Sequence, residues 1–192
     1  MKSVYNYVVE PVKSRYNNTA DIDGGELILN TEIFNHKFVS REAIVKAIPT
    51  VGYTNIKVGN KVILHHNVFR RWHNQHGIEK NSRSYIDEKT YLVQPDQIFL
   101  YKDTEWRAQK GYCFVAPIKS TDKLSVDKES PLVGVVKHTD GTVNKGDLIG
   151  FKPGSEYEFI IDGQKLYRVL SNLITIKYEY QGNEEEYNPS WA

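Results

Sequence analysis

The chain has 192 residues, enough for one large or two small domains with buried cores. Its 25 Lys and Arg balance 24 Asp and Glu, a formal net charge of +1, which argues against the basic field of a nucleic-acid binder. No apolar run approaches the ~18 residues of a membrane span, and a single cysteine, Cys113, excludes an internal disulfide and a thiolate zinc cluster. Thirteen tyrosines, many β-branched residues and short apolar runs cut by Gly, Asn, Asp or Pro predict an all-β chain. The opening MKSVYNYVVEP lacks the apolar core of a signal peptide and the Arg/Ser bias of a transit peptide. With the lone cysteine, this predicts a cytoplasmic, reducing location.

In chain order, VVEPVK (8–13) reads as a strand with Pro near a sheet edge. The stretch TADIDGGELILNTEIF (19–34) follows, with Gly24 and Gly25 leading into Leu27, Ile28 and Leu29, then Ile33 and Phe34. It has two readings. Glycines and flanking Asn and Asp suit a solvated loop whose aliphatic residues hook another protein. Alternatively, ELIL is an ordinary strand, with Ile33 and Phe34 turned into the core. Next come AIVKA (43–47), KVGNKVIL (57–64) and YIDEKTYLVQPDQIFL (85–100).

Beyond YKDTEWRAQKG the blocks return in the same order: FVAPIK (114–119), GVVKH (134–138), VNKGDLIGF (143–151) and IIDGQKLYRVLSNLITI (160–176). Two homologous β-domains are therefore expected, 1–104 and 109–180, followed by a polar tail, 181–192. Thirty positions separate Lys13 from Ala43, but only fifteen separate Lys119 from Gly134. The first copy is also longer at HHNVFRRWHNQHGIEKNSRS (65–84). Core strands should occur in both copies. Segments confined to one are expected to be loops, where binding functions concentrate.

Other residues offer less chemistry. His65, His66, His73 and His76 lie close in sequence, but no acidic or thiolate ligand sits among them and Arg70 and Arg71 would repel a cation. A polar loop is the expectation, with no metal and no cofactor. Trp72 beside the arginines suits a protein contact, or a partly buried position, better than base stacking, given the neutral chain. No nucleophile elbow, phosphate loop or dinucleotide fingerprint occurs, so no enzyme is expected. Asp87 and Asp162 recur where hairpin turns favour Asp. Cys113 within GYCFVAP predicts a buried, inert thiol. The acidic tail is expected to be a solvated end.

At these blocks the chain resembles the GroES-like co-chaperonin family, twice over. The quoted residues match its first strand ending near Pro (Val8–Lys13), its Gly-Gly loop with aliphatic triplet (Gly24–Leu29) and its following strand (Ala43–Ala47). They also match its VKVGDxVxF block (Lys57–Leu64) and its final hairpin (Tyr85–Leu100). The second copy lacks the Gly-Gly pair and the triplet. The resemblance implies two tandem GroES-like small β-barrels, self-association into a ring and a GroEL-like chaperonin as partner. The single binding loop would span about 15–41 and engage through Gly24, Gly25, Leu27, Ile28, Leu29, Ile33 and Phe34. The rival expectation is a structural or assembly protein, for example of a virion, reusing the fold for subunit contacts. The Asn-, Lys- and Tyr-rich composition suits a viral origin, which would put the protein in the host cytoplasm or virion.

Overall fold

The computed structural model describes residues 2–16, 19–22, 25–28, 35, 38–121, 129–179 and 184–191. The chain is all-β, with short 3-10 turns and no α-helix among the described residues. No helix among them is long and apolar enough to cross a membrane. Two compact units divide it, Met1–Glu105 and Trp106–Ala192.

In the first unit the strands are β1 (Tyr7–Pro11), β2 (Thr19–Ile22), β3 (Gly25–Ile28), β4 (Glu42–Ala47) and β5 (Lys61–Leu64). They continue with β6 (Arg71–His73), β7 (Glu79–Asn81), β8 (Tyr85–Asp87), β9 (Thr90–Val93) and β10 (Ile98–Lys102). The main sheet runs β10-β5-β4-β1-β9-β8, and its neighbours pair antiparallel. Alternation sets its inner face: in β4, Ala43, Val45 and Ala47 are buried while Lys46 is exposed. Ala43 and Val45 join Tyr7, Val9, Leu64, Phe69 and Tyr91 in one core.

The second unit holds β11 (Trp106–Ala108), β12 (Tyr112–Lys119), β13 (Glu129–His138), β14 (Leu148–Phe151), β15 (Tyr157–Ile161), β16 (Gln164–Leu170) and β17 (Ile174–Tyr178). Its sheet runs β17-β14-β13-β12-β16-β15, the order of the first unit strand for strand. The repeated blocks fall on corresponding strands. Even the turns agree: Gly59 and Gly146 both have φ +91°, and each donates its amide to a strand carbonyl, Val45 O and Val136 O, at 2.8 Å. Only glycine adopts that conformation without strain. Single 3-10 turns, Pro95–Gln97 and Ser171–Leu173, occupy matching places before the last strand of each sheet.

Three features depart from the sequence reading. The hydrogen-bonded order of each large sheet is open among the described residues, so neither closes into a barrel. Gly25–Ile28 is a strand, but among the described residues it pairs with β2 alone, as a separate ribbon. The tail is not a free solvated end: Glu186 bridges Ile118, and the amides of Lys119 and Tyr187 bond Glu185 O and Pro117 O, each at 2.8 Å. Lysines distant in sequence supply the charges that draw this acidic segment down.

Cys113 is fully buried, and burial pushes its thiol up to about 12. His138 closes β13. Burial, reinforced by the Lys145 charge, pushes its imidazole down to about 4 despite a hydrogen bond to the Trp106 backbone and the Asp162 charge. The unfolded chain takes up this proton near the ordinary 6.5, the folded chain only near 4. The unfolded state therefore binds more protons between these values, and stability falls as pH drops through that window. The loss reaches at most about 3 kcal/mol. Urea unfolding at pH 7 and pH 5, followed at the second unit, should show this slope in the wild type and a flatter one in His138→Gln. Equal slopes would remove His138 as its source. Asp140 and Asp147, held below the ordinary carboxylate value, add their losses only at lower pH.

Candidate functional site

The two segments peculiar to the first unit share a base. Beyond β1, Tyr16 pairs antiparallel with Val39, and the Ser40 amide bonds Arg15 O at 2.9 Å. Tyr16 and Val39 are each 2% exposed and belong to the core. The excursion thus leaves and re-enters the unit through a closed neck, narrower than the 15–41 span read from the sequence. Between these stems stands the β2–β3 ribbon, with Ala20 opposite Leu27 and Ile22 opposite Gly25. The residues between Ile22 and Gly25 are Asp23 and Gly24, a sequence pair that short hairpins favour.

Gly25 and Leu27 are exposed, Leu27 by 50%. Ile28 ends β3. Gly24, Leu29, Ile33 and Phe34 lie outside the described residues.

The second excursion begins at His65, whose Nδ1 accepts the Asn67 amide and caps the 3-10 turn His66–Val68. Val68 and Phe69 plunge into the core. β6 and β7 then form a second ribbon, with Trp72 opposite Lys80. Its turn is organised by Asn74, whose side-chain oxygen accepts the amides of His76 and Ile78. Trp72 and Ile78 remain 45% and 56% exposed. Among the described residues no three His, Cys, Asp or Glu converge as metal ligands.

Cross-links join the two excursions at their roots. The Arg71 amide donates to the Tyr16 hydroxyl at 2.7 Å, and the Arg71 guanidinium lies 4.9 Å from the Tyr16 ring centre. Arg15 is buried; it donates to Asn81 Oδ1 at 2.8 Å and sits 5.0 and 5.6 Å from the rings of Tyr85 and Tyr91. A planar guanidinium can lie against aromatic faces while its N–H fork reaches an amide oxygen. Tyr91 is pushed up to about 12 by burial, and Tyr85 is raised chiefly by its hydrogen bond to Glu88. Both therefore stay neutral at ordinary pH.

None of Arg15, Tyr16, Arg71 or Asn81 stood out as a site residue in the sequence. The available signal was Tyr16 and Val39, apolar residues bracketing a polar excursion. The arrangement is two ribbons presenting exposed apolar side chains on a rigid common root, a geometry suited to holding another polypeptide.

No family model matches the chain, and no curated protein matches it.

Proposed function

We propose that the chain is a co-chaperonin-like cap built from two tandem GroES-like domains, forming a ring and engaging a GroEL-like chaperonin through the β2–β3 ribbon. One observation carries this reading: Leu27 stands half-exposed on a ribbon separate from the main sheet, above a neck closed by Tyr16 and Val39. The family resemblance of both halves, and their shared strand order, support it. Burying Leu27 and its aliphatic neighbours would contribute on the order of 5 kcal/mol before ordering costs. A single ribbon then binds weakly, and a ring supplies avidity. Any ATP chemistry belongs to the partner.

The test is ATP-dependent capture by a chaperonin at matched oligomeric state. Leu27→Asp and Ile28→Asp should each weaken capture at least about tenfold. Undiminished capture by both variants would sink the ribbon as the hook.

A second reading has its own observation. Val4, Tyr5, Val51 and Tyr53 are all more than half exposed, beside the pairing of Ser3 with Pro49 and of Val51 with Val4. Such an apolar patch suits coverage by a neighbouring copy. A wild-type protein that builds rings or lattices but never captures a chaperonin is a structural or assembly protein.

A further inference from the structure

β16 pairs with β12 only from Tyr112 to Val115. Beyond that point residues 184–191, EEEYNPSW, lie against the edge of β12 at Pro117–Lys119, where Glu185–Tyr187 make one antiparallel bridge and two main-chain hydrogen bonds. Side chains read this segment one by one. Lys119 Nζ meets Glu185 and Lys137 Nζ meets Glu186, each at 2.6 Å, and Gln164 donates to the other Glu186 oxygen at 3.1 Å. Asn188 clasps the β15–β16 turn in both directions, accepting the Lys165 amide at 2.8 Å and donating to Gly163 O at 3.0 Å. Pro189 is buried. The Lys165 ammonium lies 5.8 Å from the rings of both Tyr187 and Trp191, and pairs with Glu129 and Glu158 at 3.1 and 3.2 Å.

Main-chain pairing with side-chain selection is how a sheet edge recognises an extended peptide. Part of the attachment nonetheless faces solvent. The Lys119–Glu185 pair is largely exposed, so salt screens it, and Trp191 stays 64% exposed.

We propose that the edge of β12 is a recognition groove for an extended acidic–aromatic peptide, and that the chain's own C-terminal segment occupies it as a releasable intramolecular ligand. Tethering keeps the segment at high local concentration and the groove closed. This inference is independent of the co-chaperonin reading.

The experiment uses the full chain and a synthetic EEEYNPSW peptide. The double reversal Glu185→Lys/Glu186→Lys should free the segment, read as faster exchange of the Lys119 and Tyr187 amides. The freed chain should bind the peptide saturably, and the wild type at least about tenfold more weakly because its groove is filled. Adding Lys137→Ala to the freed chain, which removes the cation without re-pairing it with the reversed tail, should weaken peptide binding at least about tenfold. Equal binding to wild type and freed chain, or no binding to a freed chain whose amides have lost protection, would overturn the proposal. So would amides that stay protected after the double reversal. A salt series on the wild type covers the case in which the variant does not fold. Raising salt to ~1 M should speed exchange at Lys119 and Tyr187 at least about tenfold while leaving Val115 unchanged, and no acceleration overturns the proposal.

Discussion

Replacing Tyr16 with alanine is expected to destabilise the first unit by about 3–5 kcal/mol, the cost of deleting a large buried aromatic whose cavity cannot fully collapse. Tyr16 is 2% exposed and packs in the cluster that contains Tyr7, Val9, Phe69 and Tyr91. Its loss has a second consequence, because the hydroxyl holds the Arg71 amide and the ring holds the Arg71 guanidinium. Both ribbons should therefore loosen together. Tyr16→Phe separates the two contributions: it keeps the packing, leaves the Arg71 amide without its acceptor and should cost about 1 kcal/mol. Urea unfolding followed at Trp72, with amide exchange across β2–β3 and β6–β7, measures both. A loss below about 1 kcal/mol in Tyr16→Ala would show that the neck does not depend on this residue.

Adding one methyl group at Gly134 should cost the second unit about 2–3 kcal/mol. A Cβ there would lie 2.7 Å from Ala116 O and 3.1 Å from two Val115 atoms, and the first of these is backbone that cannot swing aside. The contrast with the first unit sharpens the expectation. Gly134 pairs with Pro117 as Ala43 pairs with Pro11, yet Ala43 accommodates its methyl group while fully buried. The difference lies in the strand path. Between Pro117 and Lys119 the register of β12 against β13 shifts, and Leu132, two residues before Gly134, takes φ +60°. Thermal unfolding of Gly134→Ala, read at the second unit, should show a clear loss. A variant as stable as wild type would mean that the strands move apart without penalty.

The repeated strand blocks and the glycine turns within them were legible because their causes are local. Alternating apolar residues choose a face, and a glycine at positive φ chooses a turn, within a few positions of one another. The excursions could be located in the same way, by comparing the spacing of the repeated blocks. Their content could not. A two-residue Asp-Gly connection signals a hairpin, but the Gly-Gly pair beside it reads equally well as a loop, and nothing nearby says which strand β3 pairs with.

The composition and repeats of the sequence by themselves determined an all-β chain, its repeated blocks and the two places where the first copy is longer. Tertiary structure alone decided three things: that Arg15 and Tyr16 lock both excursions at one root, that Gly134 tolerates no methyl where Ala43 does, and that the acidic tail lies along β12. The physical reason is separation along the chain. Arg15 meets Asn81 across 66 positions, Tyr16 meets Arg71 across 55, and Lys119 meets Glu185 across 66. Contacts of that kind leave no period in the sequence, because each residue at such a site is selected by a partner that only folding brings beside it.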